Sequence, residues 1–175
     1  MIIGDPFKFA IIIEVLKMWN PTDYNGFANG VLLFCVDGEL FPNFVVNATL
    51  GYELQGHVFM DKLASPAVNN ELYHMEAEKA FFEMHYITRP HYTSDIEEND
   101  CYNITPQILS DNRCQVFAVS NGEQVRILAS RLNNYLFRES RYDLRKLDIS
   151  EIFLPINELN EIVSELKIFI QTVFD

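Results

Sequence analysis

Four histidines, three cysteines and 25 carboxylates are the side chains from which this 175-residue chain could build chemistry. The histidines are His57, His74, His85 and His91. His74-Met75-Glu76 has the H-x-E form of the zinc deaminases, but that chemistry needs a following P-C-x-x-C, and the chain has none. With no H-E-x-x-H and no tight His/Cys cluster, a zinc site lacks its ligand set. His85 and His91 flank an expected helix end, where the helix dipole favours a protonated ring, so a capping role is expected there. Cys114 has nothing beside it in sequence to lower its pKa and make it a nucleophile. The serines show no G-x-S-x-G, and the seven glycines form neither a P-loop nor a dinucleotide fingerprint. Glu76 with Glu83, and Glu97 with Glu98, are closely spaced carboxylates, but an acidic chain has such pairs by composition alone. The expectation is a protein without catalytic residues, metal or cofactor.

Charge says more. The net charge is -12, and it is uneven. Residues 1–100 hold 15 acids and 5 bases, whereas residues 101–175 hold 10 acids and 8 bases. Such a surface repels nucleic acid and anionic membranes and attracts basic partners. Asp95, Glu97, Glu98 and Asp100 crowd into one irregular stretch. A block of this kind repels itself and sits in a solvated loop. It lacks the spacing and the glycine of an EF-hand, so calcium is not its expected ligand. Glu71 and Glu78 lie off the apolar stripe of the helix before it. These six acids are the candidate contact residues. The basic run at residues 138–146 stands among acids, and a salt-bridged or solvated loop is its expected form.

The elements that must hold these residues follow from periodicity. Residues 7–19 are apolar at Phe7, Phe9, Ile11, Ile13, Val15 and Trp19, with Lys8 and Glu14 between, which predicts a half-buried strand. Residues 31–36 are apolar on both faces, as in a central strand. Asp37-Gly38 then supplies the positive φ angles of a tight hairpin, and residues 39–46 return, kept short, bulged or at an edge by Pro42. A helix from Thr49 to about Leu63 is weakened by Gly51 and Gly56. A better one runs from Asn69 to about His85 on the stripe Tyr73, Ala77, Ala80, Phe81 and Met84. After an irregular region at 91–111, residues 115–120 and 123–132 form a second hairpin around Asn121-Gly122. There Val116 and Ala118 alternate with Phe117 and Val119, and Val125, Ile127 and Ala129 with Gln124, Arg126 and Leu128. Residues 149–154 suit a short strand. Asn157 then caps a final helix with the stripe Leu159, Ile162, Val163, Leu166, Phe169, Ile170 and Val173.

Together these elements predict one α+β domain over residues 1–175. An antiparallel sheet is expected from an N-terminal three-strand meander plus a second hairpin, with helices packed on it, the C-terminal helix among them. Fourteen Phe and eight Tyr suit such an interior and leave aromatic surface for a partner. Cys35, Cys101 and Cys114 are an odd set without C-x-x-C, which predicts free thiols in a reducing compartment. No secretory signal and no run of eighteen apolar residues is present, so a cytoplasmic protein is expected.

Four segments carry a resemblance: MIIGDPFKFAI at the start, the hairpins VDGELFP and CQVFAVSNGEQVRIL, and the closing IFLPINELNEIV. In that order, across most of the chain, they resemble the immunity protein 42 family of bacterial polymorphic toxin and contact-dependent growth inhibition systems. The resemblance implies a small cytosolic protein, not an enzyme, that binds and silences the C-terminal domain of a neighbouring toxin. It transfers no catalytic residue. With the acidic surface, it points to a basic toxin, a nuclease with RNase favoured, whose active-site region is occluded. On these terms the six acids are toxin contacts. The alternative is a non-catalytic acidic adaptor or structural subunit of a bacterial assembly, which would have no toxin gene beside its own.

Overall fold

The computed structural model describes residues 1–20, 27–55, 58–89, 99–132 and 147–174. The strands are β1 Ile2–Gly4, β2 Phe9–Val15, β3 Asn29–Val36, β4 Glu39–Phe41, β5 Ala48–Thr49, β6 Cys114–Ser120, β7 Gln124–Arg131 and β8 Ile149–Pro155. The helices are α1 Leu50–Gln55, α2 Val58–Ala64, α3 Asn70–His74, α4 Ala77–Thr88, α5 Gln107–Asp111 and α6 Ile156–Phe174. Among these described residues no helix is long and apolar enough to cross a membrane.

The α+β class and the antiparallel pairing are as the periodicity predicts, with the strands divided between two sheets. The first has the order β1-β2-β3-β4, with β5 also paired to β3; the second has the order β6-β7-β8. In the first sheet Phe9 faces Val36 and Val15 faces Gly30 across β2 and β3. Asp37 and Gly38 have φ of 52° and 80°, so both central residues of the β3–β4 turn are left-handed, the geometry that matches strand twist in a two-residue hairpin. Gly30 is required by close approach: a Cβ there would fall 2.0 Å from the Glu14 carbonyl oxygen.

The expected strand at 7–19 is shorter at both ends. Phe7 lies in a turn in which the Lys8 N–H donates to the Asp5 carbonyl at 2.9 Å, and it is exposed. Lys17–Trp19 form a 3-10 turn. The chain gains β1 instead, where Ile3 is fully buried. The helix expected after a Thr49 cap starts at Leu50, with Thr49 itself paired into β5 opposite Asn29. Gly56, the weak point of that reading, lies outside the described residues, between α1 and α2.

The core has two parts. The larger cluster joins the inner residues of both sheets, among them Phe9, Phe34, Val116 and Ile127, to α1, α2 and the stripe Leu159, Ile162, Val163 and Leu166 of α6. The smaller lies on the other face of the second sheet, where Phe117, Val119 and Leu128 pack under Leu72, Tyr73, Ala80, Phe81 and Met84 of α3 and α4. The alternation along β6 and β7 therefore separates two buried faces. That is why these strands read as almost continuously apolar.

All three cysteines are free, Cys35 and Cys114 buried and Cys101 half-buried. Burial pushes each thiol up, that of Cys114 to about 11. Only the thiolate reacts, and only where reagent reaches it. Native alkylation should therefore label Cys101 first, with Cys35 and Cys114 modified fully only after denaturation. Intact-mass measurement over time checks this, and prior labelling of Cys114 would contradict the placement of β6.

Candidate functional site

The expected helix from Asn69 to His85 is two helices. Asn69 Oδ1 accepts from the Leu72 N–H at 3.1 Å and starts α3. Met75 is extended, and the Glu76 carboxylate accepts from the N–H groups of Glu78 and Lys79 at 3.4 and 3.3 Å, starting α4. An acid at a helix N-terminus satisfies free donors and complements the dipole. This is the use of Glu76 in the H-x-E triplet. His74 is exposed, with Nδ1 2.8 Å from the Asn70 carbonyl oxygen. Among the described residues, no three His, Cys, Asp or Glu side chains are grouped to hold a metal.

The carbonyls freed at the end of α3 point at a cation. Arg126, on β7, is 2% exposed. Its Nη1 donates to the carbonyl oxygens of Leu72, Tyr73 and Met75 at 2.9, 3.1 and 2.6 Å. Its Nε donates to Glu151 Oε1 on β8 at 2.5 Å. The guanidinium carbon also lies 5.6 Å from the centre of the Phe153 ring. A planar fork of donors can make these contacts together, which a lysine ammonium cannot. Tyr73 stands edge-on to Phe153, with centroids 5.6 Å apart, and donates its hydroxyl to Gln124 Oε1 at 2.8 Å. One buried cation thus fixes the end of α3, the outer strand of the second sheet and a half-exposed aromatic ring.

The helical layer that carries Tyr73 is acidic. Glu71, Glu76, Glu78 and Glu83 are all exposed on α3, α4 and the joint between them, with Lys79 the one lysine or arginine in residues 70–88. None of the four makes a salt bridge to a described residue. Other acids are paired: Glu14 with the terminal amine, Glu39 with Arg131, Glu151 with Arg126, and Glu158 with Lys8. Asp100 is paired as well, 2.5 Å from Lys62 Nζ. That pair lies in a shallow depression of about 110 Å³ lined also by Tyr52, Phe59, Asn103 and Gln107. Asp95, Glu97 and Glu98 lie outside the described residues. The structure therefore brings Glu71 and Glu78 onto one helical layer and sets Asp100 against α2.

Two buried ionisable groups serve the fold. Glu53 on α1 is 5% exposed and accepts from the Ile108 N–H at 3.0 Å, capping α5. Burial pushes its carboxyl pKa up, and the N–H groups of Ile108 and Gln107 oppose that. His85, expected as a charged cap, is instead an interior residue of α4. It is 6% exposed, stacked on Phe81 and edge-on to Phe117. Burial, with the Arg89 cation nearby, lowers its pKa to about 4, so the ring is neutral at pH 7. The apolar stripe of α4 extends one turn further than the sequence reading took it, and His85 is on it.

Neither the helix-clamping role of Arg126 nor the exposure of the Phe153 ring is evident from the sequence. The available signal was a charge in the middle of a strand whose neighbours are all apolar.

No curated protein matches the chain. The crystal structure of CdiI from Burkholderia dolosa AUO158 is similar in fold, with a TM-score of 0.74 and 23% identity over 97% of this chain and 99% of that one. The model of the family described as immunity protein 42 matches residues 1–169. That match, over nearly the whole chain, makes this chain a member of the immunity protein 42 family, a non-catalytic protein that binds and neutralises a cognate toxin.

Proposed function

We propose that the toxin is a basic nuclease, with RNA its favoured substrate, delivered in a contact-dependent growth inhibition system and met by this protein in the cytoplasm. The observation that carries the reading is the charge: -12 overall, concentrated in residues 1–100, with four exposed acids of the α3–α4 layer lacking a cationic partner among the described residues. A nuclease needs a basic cleft for a polyanion, and an acidic protein seated on that cleft competes with the substrate. The likeness in fold to CdiI supports the delivery system. Occlusion of the active-site region is the blocking mode this reading favours.

The stretch with Asp95, Glu97, Glu98 and Asp100 is proposed to steer association, together with Glu71 and Glu78. Charge steering raises association rates about 10- to 1,000-fold at low salt, and physiological salt screens it beyond about 8 Å. Reversing Asp95, Glu97 and Glu98 to Lys, with Asp100 kept because it pairs with Lys62, should therefore slow association with the purified toxin domain strongly at low salt and less at high salt. Survival of toxin-expressing cells should fall with it. Glu161 and Glu165 on α6 are the control; Glu158 is unsuitable because it pairs with Lys8. Unchanged association for the first set, with loss of protection for the α6 set, would put the contact on the other side of the protein.

A further inference from the structure

Phe153 is 45% exposed on β8, whereas the next residue, Leu154, is 1% exposed. The ring is held in place: Tyr73 meets its edge, Arg126 lies over it, and Arg126 is itself bound to Glu151 and to three carbonyls of the α3 end. A half-exposed aromatic whose neighbours are fixed loses little conformational entropy when covered. Such anchors, central and ringed by polar groups, dominate the energy of protein interfaces. Here the helical layer that supplies Tyr73 is acidic. Residues 70–88 carry Glu71, Glu76, Glu78 and Glu83 against Lys79, a net -3, and Glu151 stands on the same strand as the ring.

We infer that Phe153 is the anchor of the toxin-docking surface, with Glu71, Glu78 and the neighbouring acids of the α3–α4 layer as its rim. The occupant is the basic face of the toxin domain, which covers the ring and meets the acids with Lys and Arg side chains. Charge complementarity selects this occupant over a second copy of the chain, because two such faces would set like charges against each other. Another exposed apolar group, Met18, Trp19 and Phe27 at one end of the first sheet, has Lys17 beside it and no comparable set of acids among the described residues. The inference rests on the proposal that the toxin is basic. It goes further by separating the roles: Phe153 sets residence time, and the acids set the rate of encounter.

The test uses the full-length protein and a catalytically inactivated toxin domain encoded beside its gene. Phe153→Ala should dissociate at least about thirtyfold faster, the factor that corresponds to a hot-spot residue, with association nearly unchanged. Glu71→Lys with Glu78→Lys should do the reverse, slowing association at low salt with a smaller change in dissociation. Thermal unfolding confirms that each variant is folded, and Phe153→Leu serves if the alanine variant is not. Hydrogen exchange on the unaltered complex provides a second reading and should show protection at α3 and β8. Dissociation of both Phe153 variants at the unaltered rate, or protection confined to the Met18–Trp19 end, overturns the docking surface and leaves the nuclease proposal standing. Binding as expected at α3 and β8, with no cleavage of nucleic acid by the active form of the same toxin domain, overturns the nuclease proposal and leaves the docking surface. If the unaltered protein binds only an acidic domain, both fall.

Discussion

Replacing Arg126 with Met should destabilise the protein by about 3–5 kcal/mol, the cost of breaking a buried ion pair from one side. Two losses combine. The carbonyls of Leu72, Tyr73 and Met75 lose the donor that closes the end of α3, and an unsatisfied buried polar group costs about 1–3 kcal/mol. Glu151 keeps its charge beside the interior without a partner. Methionine retains much of the apolar stem, so packing changes least. For a chain of this size the loss corresponds to a melting shift of roughly 6–20 °C. The double variant Arg126→Met, Glu151→Leu should recover part of it, because the stranded charge is gone while the open carbonyls remain. Arg126→Lys should fall between, since an ammonium can replace the charge but not the fork of donors. Urea unfolding with two-state analysis measures all three. A loss below about 1 kcal/mol for Arg126→Met would mean that water replaces the guanidinium at the end of α3, contrary to the burial seen there.

The same cluster marks the limit of what the sequence reveals. Elements whose signal lies within a few neighbouring residues were legible. Asp37-Gly38 has to turn because its chemistry suits two positive φ angles, and the α6 stripe has to be buried because it repeats over the helix. β1 was not legible, because Ile2–Gly4 is too short to show an alternation, and only pairing with β2 makes it a strand. The break between α3 and α4 was not legible either. Tyr73 and Ala80 keep helical spacing across it, and the interruption comes from Glu76 capping α4 and Arg126 capturing carbonyls from a distant strand. The acids at 71 and 78 could be named from the sequence as off-stripe residues. Phe153, which meets Tyr73 of the same helical layer, could not, since its exposure depends on packing between distant segments.

The second large effect is on pH. The folded-state pKa of His85 is lowered to about 4, against 6.5 for an exposed histidine. The neutral ring is therefore the form the fold accepts. Its contribution is fully present above pH 6.5 and is lost as pH falls through 4. A separation of about 2.5 pKa units corresponds to about 3 kcal/mol. The cause is mainly burial against Phe81 and Phe117, where a proton must enter an apolar site, with repulsion from Arg89 one turn on adding to it. Glu53 acts with the opposite sign. Its folded pKa is raised, so its contribution is present below the unfolded carboxylate value of 4.5 and is lost as pH rises through the folded one. As pH falls toward 4.5, protonation of Glu53 therefore offsets part of the loss at His85. Three proteins separate the two groups. The unaltered chain should lose stability on acidification from pH 6.5. His85→Phe, which keeps an aromatic ring against Phe81 and Phe117, should show a much flatter profile over that range. Glu53→Gln, which keeps an acceptor for the Ile108 N–H, should show a steeper one. Chemical unfolding at half-unit steps between pH 4 and 7.5 measures the slopes. If His85→Phe keeps the slope of the unaltered protein, the histidine is hydrated in solution and the acid sensitivity belongs to another group.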